Sequence, residues 1–82
     1  MKINYQIKPL EFINITPRNC FIGMKIYCIK DLVMRATNEI ASIKGKTYIV
    51  QEYGSQEFIY TDEANHRHTI KFDKNTWFKI KL

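Results

Sequence analysis

Apolar and polar positions alternate along much of this chain with a period of two, the pattern of strands that bury one face against a small core. The clearest block runs from Lys44 to Asp73. Lys44-Gly45-Lys46 leads into Thr47-Tyr48-Ile49-Val50, Gly54-Ser55 breaks the run, Phe58-Ile59-Tyr60-Thr61 returns, Ala64-Asn65 breaks it again, and His66 to Phe72 leads out. β-Branched and aromatic residues fill the runs and turn formers fill the breaks, so the block predicts a three-strand meander. In its last strand Arg67, Thr69 and Lys71 mark the solvent face. That choice of face sends Tyr48, Val50, Phe58, Tyr60, Ile70 and Phe72 to the core.

The flanking segments extend the pattern. Met24 to Asp31 reads as the first strand of the domain, with Ile26 and Cys28 on one face and Tyr27 and Ile29 on the other. Leu32 to Ile43 supports two readings. Leu32, Ala36, Ile40 and Ile43 fit helical spacing behind Asp31 as a cap, whereas Thr37-Asn38 and the closing Lys44-Gly45 favour a loop or irregular hairpin that folds its apolar residues back onto the domain. Asp73 to Thr76 is a turn with room for one 3₁₀ turn. Beyond it Phe78, Ile80 and Leu82 alternate with Trp77, Lys79 and Lys81 as a fifth strand. Before the domain, Ile3, Tyr5 and Ile7 alternate with polar residues until Pro9, Leu10 to Ile15 is a second apolar run, and Thr16-Pro17-Arg18-Asn19 is a turn. Residues 1–23 therefore read as an arm or added strand, expected to pair with the domain edge or with a second copy. Residues 24–82 read as an all-β domain, a small SH3-like barrel of about five strands.

Composition narrows the function. A chain of 82 residues holds one core and leaves little room for a second lobe around a catalytic cleft. Apolar residues at 45% and aromatic residues at 13% argue against disorder. Thirteen Lys and Arg against eight Asp and Glu give a net charge of +5, mostly lysine, which serves solubility and edge protection as well as anion binding. Met1 to Ile7 has no apolar leader core, and Cys20 and Cys28 are expected as reduced thiols in a cytosolic setting. No apolar run approaches the length of a membrane span.

Candidate chemistry is sparse. His66 and His68 stand near Asp62 and Glu63, residue types that bind divalent metals, but the rest of a closed ligand set is missing, so neither metal nor cofactor is expected. Ser42 and Ser55 have no neighbouring base, and Lys44-Gly45-Lys46 lacks the frame of a phosphate-binding loop. The sharpest feature is Trp77 with Lys79 and Lys81, joined by Arg67 and Lys71. Such a face offers flat area for stacking and charge for phosphate or carboxylate. The alternative is that Trp77 closes one end of the barrel beneath the Leu32 to Ile43 segment.

Cys28-Ile29-Lys30-Asp31, Gly45-Lys46-Thr47-Tyr48-Ile49-Val50, Asp62-Glu63 with His68, and Trp77-Phe78 together resemble small phage- and prophage-encoded SH3-like barrel proteins. The resemblance covers Met24 to Leu82; Ala64-Asn65 stands where such sequences often place a glycine. It implies an accessory protein in the bacterial host cytoplasm or on the virion, and it carries over no catalytic residue. The expected function is a non-enzymatic interaction module that binds a protein partner from the virion or the host. The runner-up is a nucleic-acid-binding barrel that uses the Trp77 and lysine face, with weak binding expected because carboxylates are interspersed with the lysines. No membrane partner is expected, and the arm is the expected route to a homo-oligomer.

Overall fold

The computed structural model describes residues 11–82, so the predicted strand of Ile3, Tyr5 and Ile7 lies outside the described residues. Within them the chain is all-β. Its strands are β1 (Phe12–Ile13), β2 (Lys25–Cys28), β3 (Leu32–Val33), β4 (Ile40–Ser42), β5 (Thr47–Tyr53), β6 (Glu57–Thr61), β7 (Arg67–Lys71) and β8 (Phe78–Lys81), with a 3₁₀ turn at Phe72–Lys74. Six strands form one sheet in the order β1-β8-β2-β5-β6-β7, and β3 and β4 form a separate hairpin. The all-β class expected from the sequence holds; among the described residues neither sheet closes on itself, and the β3–β4 hairpin lies against the larger sheet.

Alternation explains the ladder. In β5 and β6, Tyr48, Val50, Phe58 and Tyr60 are buried, and Ile70 joins them from β7. β6 and β7 pair in unbroken register from Glu57 opposite Lys71 to Thr61 opposite Arg67. The β5–β6 register slips between Val50 and Glu52, a bulge that bends β5 so that its first half pairs with β2 and its second half with β6. The turn between β6 and β7 is set by Asn65 at φ +65°, a conformation that Asn tolerates. Gly45, at φ +93°, meets the same need at the entry to β5.

The core is aromatic at its centre. Phe78 of β8 meets Tyr60, Tyr48 and Phe58 edge-on, with ring centroids 4.7, 5.9 and 6.2 Å apart. Ile26 and Cys28 of β2 complete it, and Ile15 and Cys20, from the segment before β2, are buried in the same cluster. Both thiols are free, and burial raises the pKa of each, which keeps them as small apolar groups. One core assignment and one strand end are corrected. Phe72 sits in the 3₁₀ turn rather than in β7 and is half-buried, its ring tilted against Phe58 at 5.5 Å. Leu82, read as the end of the last strand, lies past the end of β8 and is 67% exposed, although its amide still bonds to the Glu11 carbonyl at 3.0 Å.

Residues 32–43 form a hairpin and not a helix. Met34 N–H donates to the Glu39 carbonyl at 2.8 Å, Asn38 N–H donates to the Met34 carbonyl at 2.7 Å, and Asn38 takes φ +61° at the tip. Its inner residues Leu32, Ala41 and Ser42 are buried. The expectation that its apolar residues all fold inward is corrected for Val33, Met34, Ile40 and Ile43, which are exposed. Val33 and Ile40 are register partners, and strand alternation turns both away from the face that carries Leu32 and Ala41.

Candidate functional site

Two surfaces carry unsatisfied chemistry. The first is the outer side of β1, β8 and β2. Antiparallel register places Phe12 opposite Lys81, and Tyr27 opposite Lys79. The Phe12 and Tyr27 rings stack at 5.5 Å, and the Lys81 ammonium lies over the Tyr27 ring at 5.1 Å. Lys79 Nζ donates to Asn14 Oδ1. Trp77 continues the line beside Ile29, whose N–H donates to the Trp77 carbonyl at 2.7 Å, and the Lys30 ammonium stands over the indole at 5.6 Å. Lys25 opens β2 and is exposed. None of the three strands contains an acidic residue. Among the described residues, none of Lys25, Lys30, Lys79 and Lys81 makes an ion pair.

The face predicted from sequence is therefore divided. Lys79 and Lys81 belong to it. Trp77 is half-buried against the core, which fits the packing alternative better than a free platform. Arg67 and Lys71 lie on β7, separated from β8 in the sheet by β2, β5 and β6. Arg67 is bound to Glu52 and Lys71 stands opposite Glu57, so both are matched by carboxylates. Phe12, Tyr27, Lys25 and Lys30 were not singled out from the sequence. The placement of Tyr27 opposite in phase to Ile26 and Cys28 was the signal available; Phe12 offered none, because its register partner comes from the other end of the chain.

The second surface is the outer side of the β3–β4 hairpin, where Val33 is 47% and Ile40 is 53% exposed. A polar network fixes this hairpin to the sheet. Ser42 Oγ and the Tyr60 hydroxyl lie 2.5 Å apart, Ile43 N–H donates to the Tyr48 hydroxyl at 2.9 Å, and the Tyr48 hydroxyl donates to Glu63 Oε2 at 2.9 Å. Lys44 N–H donates to Asp31 Oδ1 at 2.7 Å. Burial pushes the phenols of Tyr48 and Tyr60 up to about 12, so both stay neutral donors at any physiological pH.

Beneath the hairpin the histidine and carboxylate cluster does structural work. Asp62 Oδ2 and His68 Nε2 are 2.5 Å apart, while Asp62 Oδ1 accepts the N–H groups of Ala64 and His66 at 2.8 and 2.9 Å. Burial tends to raise the Asp62 pKa, but the hydrogen bonds from His66, His68 and Ala64 outweigh it and hold the carboxyl below its ordinary value. Among the described residues no group of three or more His, Cys, Asp or Glu side chains is arranged to hold a metal. His68 stacks on Tyr60 at 5.4 Å. Among the described residues no helix is long and apolar enough to cross a membrane.

No protein-family profile, curated protein or solved structure matches this chain.

Proposed function

We propose that the protein is a non-enzymatic interaction module of phage type, with SH3-like strand connections, that binds a protein partner from the virion or the bacterial host. Support for the connections lies in the pairing of β2 with both β8 and β5, the bulge that hands β5 on to β6, and the 3₁₀ turn before the last strand. The phage assignment rests on the sequence resemblance alone. The observation that carries the binding reading is the hairpin: apolar Val33, Met34 and Ile40 face solvent on a scaffold already fixed by hydrogen bonds to Tyr48 and Tyr60. Exposed apolar residues on a pre-ordered element are what a protein interface desolvates, at little ordering cost. The basic face across β1, β8 and β2 is less suited to this role, since lysine is depleted from the centres of protein interfaces.

The test is capture of partners by immobilised protein from lysate of a bacterial host, with nucleic acid scored alongside protein. A protein retained in moderate salt and lost with Val33→Asp and Ile40→Asp is the expected result. Retention of nucleic acid alone, or of proteins indifferent to both substitutions, overturns the reading.

A further inference from the structure

Four lysines that make no ion pair among the described residues, three of them on strands that contain no carboxylate and the fourth, Lys30, just past the end of β2, need an account. On an ordinary solvated surface cations are interspersed with anions, as they are on β5, β6 and β7 of this protein. On β8 and β2 and in the residues that flank them they are interspersed with aromatic rings. Lys81 rests on Tyr27 and Lys30 rests on Trp77, so two of the four ammonium groups find their electrostatic partner in a π-face. A cation held in this way is not neutralised. It remains free to move from the ring to a stronger anionic acceptor, and when it moves it uncovers the ring.

We infer that the outer face of β1, β8 and β2 is a binding site for single-stranded nucleic acid, with Lys25, Lys30, Lys79 and Lys81 on phosphates and Phe12 and Tyr27 as the stacking surface for bases. Charge complementarity argues for a polyanion, and the aromatic rings set a nucleic acid above an acidic peptide. A carboxylate-bearing partner would use the lysines and leave the rings idle, whereas every base has a π-face to stack. The residues of the β3–β4 hairpin take no part, so the site stands apart from the protein-binding reading of that hairpin.

The experiment measures fluorescence anisotropy of a labelled oligothymidylate on the intact protein across a salt series, with oligouridylate, duplex DNA and poly-glutamate as competitors. Four phosphate contacts predict that log K falls by about 3 per tenfold rise in salt, so binding clear at low salt is nearly gone at physiological ionic strength. Lys79→Gln with Lys81→Gln lowers that slope by about 1.4. Tyr27→Ala weakens binding about tenfold at constant slope, while Ile40→Asp leaves it unchanged. Circular dichroism checks that each variant is folded, and the two exposed-strand lysine substitutions keep the slope measurement available if Tyr27→Ala does not fold. Absence of binding at low salt overturns the inference. So does competition by poly-glutamate or duplex as strong as that by single strands, since either would show that charge alone is read. Failure of the Ile40→Asp partner test would leave this result standing, because the two readouts use different residues.

Discussion

The two flanks of the sheet use the same residue type in opposite ways. On the β7 flank the cations have carboxylate neighbours: Arg67 binds Glu52, Lys71 is the register partner of Glu57, and nearby Lys46 reaches Glu63 at 3.4 Å. On the β8 flank lysines answer aromatic rings and a side-chain amide. β7 ends the sheet, and a charged residue on an edge strand discourages pairing with another chain, so matched charge there protects and solubilises. β8 is covered in part by β1, so its lysines are not needed for that task. Net charge, summed over the chain, hides this division.

The largest effect that can sharpen the comparison falls on the residue both flanks share. Phe78 stands on β8 yet packs against Tyr48, Tyr60 and Phe58, the rings of β5 and β6. Phe78→Ala is expected to cost about 3–5 kcal/mol in urea denaturation, because it empties the centre of the core. A cost below about 1 kcal/mol would mean that the flanks are stabilised independently.

Next in size is the Asp62 turn on the β7 side. Its carboxyl is held below the ordinary value of 3.8, so the ionised form is the one the fold favours. The unfolded chain takes up the proton first as pH falls, and stability present at neutral pH is therefore lost as pH drops below about 4 and through the lower folded value. Asp62→Asn should remove about 1.5–3 kcal/mol at pH 7 and flatten that part of the acid denaturation curve. A variant with the same acid dependence as the parent would place the titration elsewhere.

The smallest effect is the most discriminating. Arg67→Ala breaks an exposed pair and should cost under about 1 kcal/mol, with oligonucleotide affinity little changed. Lys81→Gln should leave thermal stability equally untouched and weaken oligonucleotide binding at low salt. Equal loss of oligonucleotide binding in both variants would erase the distinction between the flanks.

Much of the fold was legible because alternation reports which side of a strand a residue faces. That sufficed for Tyr48, Val50, Phe58, Tyr60 and Ile70, for the Asn65 turn and for the 3₁₀ turn. Alternation does not report which strand lies next door. Arg67 and Lys71 were grouped with Lys79 and Lys81 because all four face solvent, and the sheet order then set three strands between them. Phe12 became part of the basic face only through pairing with Lys81. The hairpin misled for a related reason: its apolar residues alternate, so half of them must face outward wherever no second layer covers them. Phe72 and Leu82 were misplaced at strand ends, where the period-two rule stops with the ladder.

The pairing of Phe12 and Ile13 with Lys81 and Ile80 also bears on the order in which the molecule assembles. The β5–β6–β7 meander closes through short turns and can form early, whereas the β1–β8 contact must wait for a loop that spans nearly the whole sheet to close. During synthesis the meander residues leave the ribosome before Phe78 to Lys81 do, so the lysines of β8 come to lie beside Phe12 and Tyr27 only after the meander has emerged. A nascent or misfolded chain would then expose its apolar segments while lacking the assembled basic face, and affinity for a polyanion would arise together with native structure.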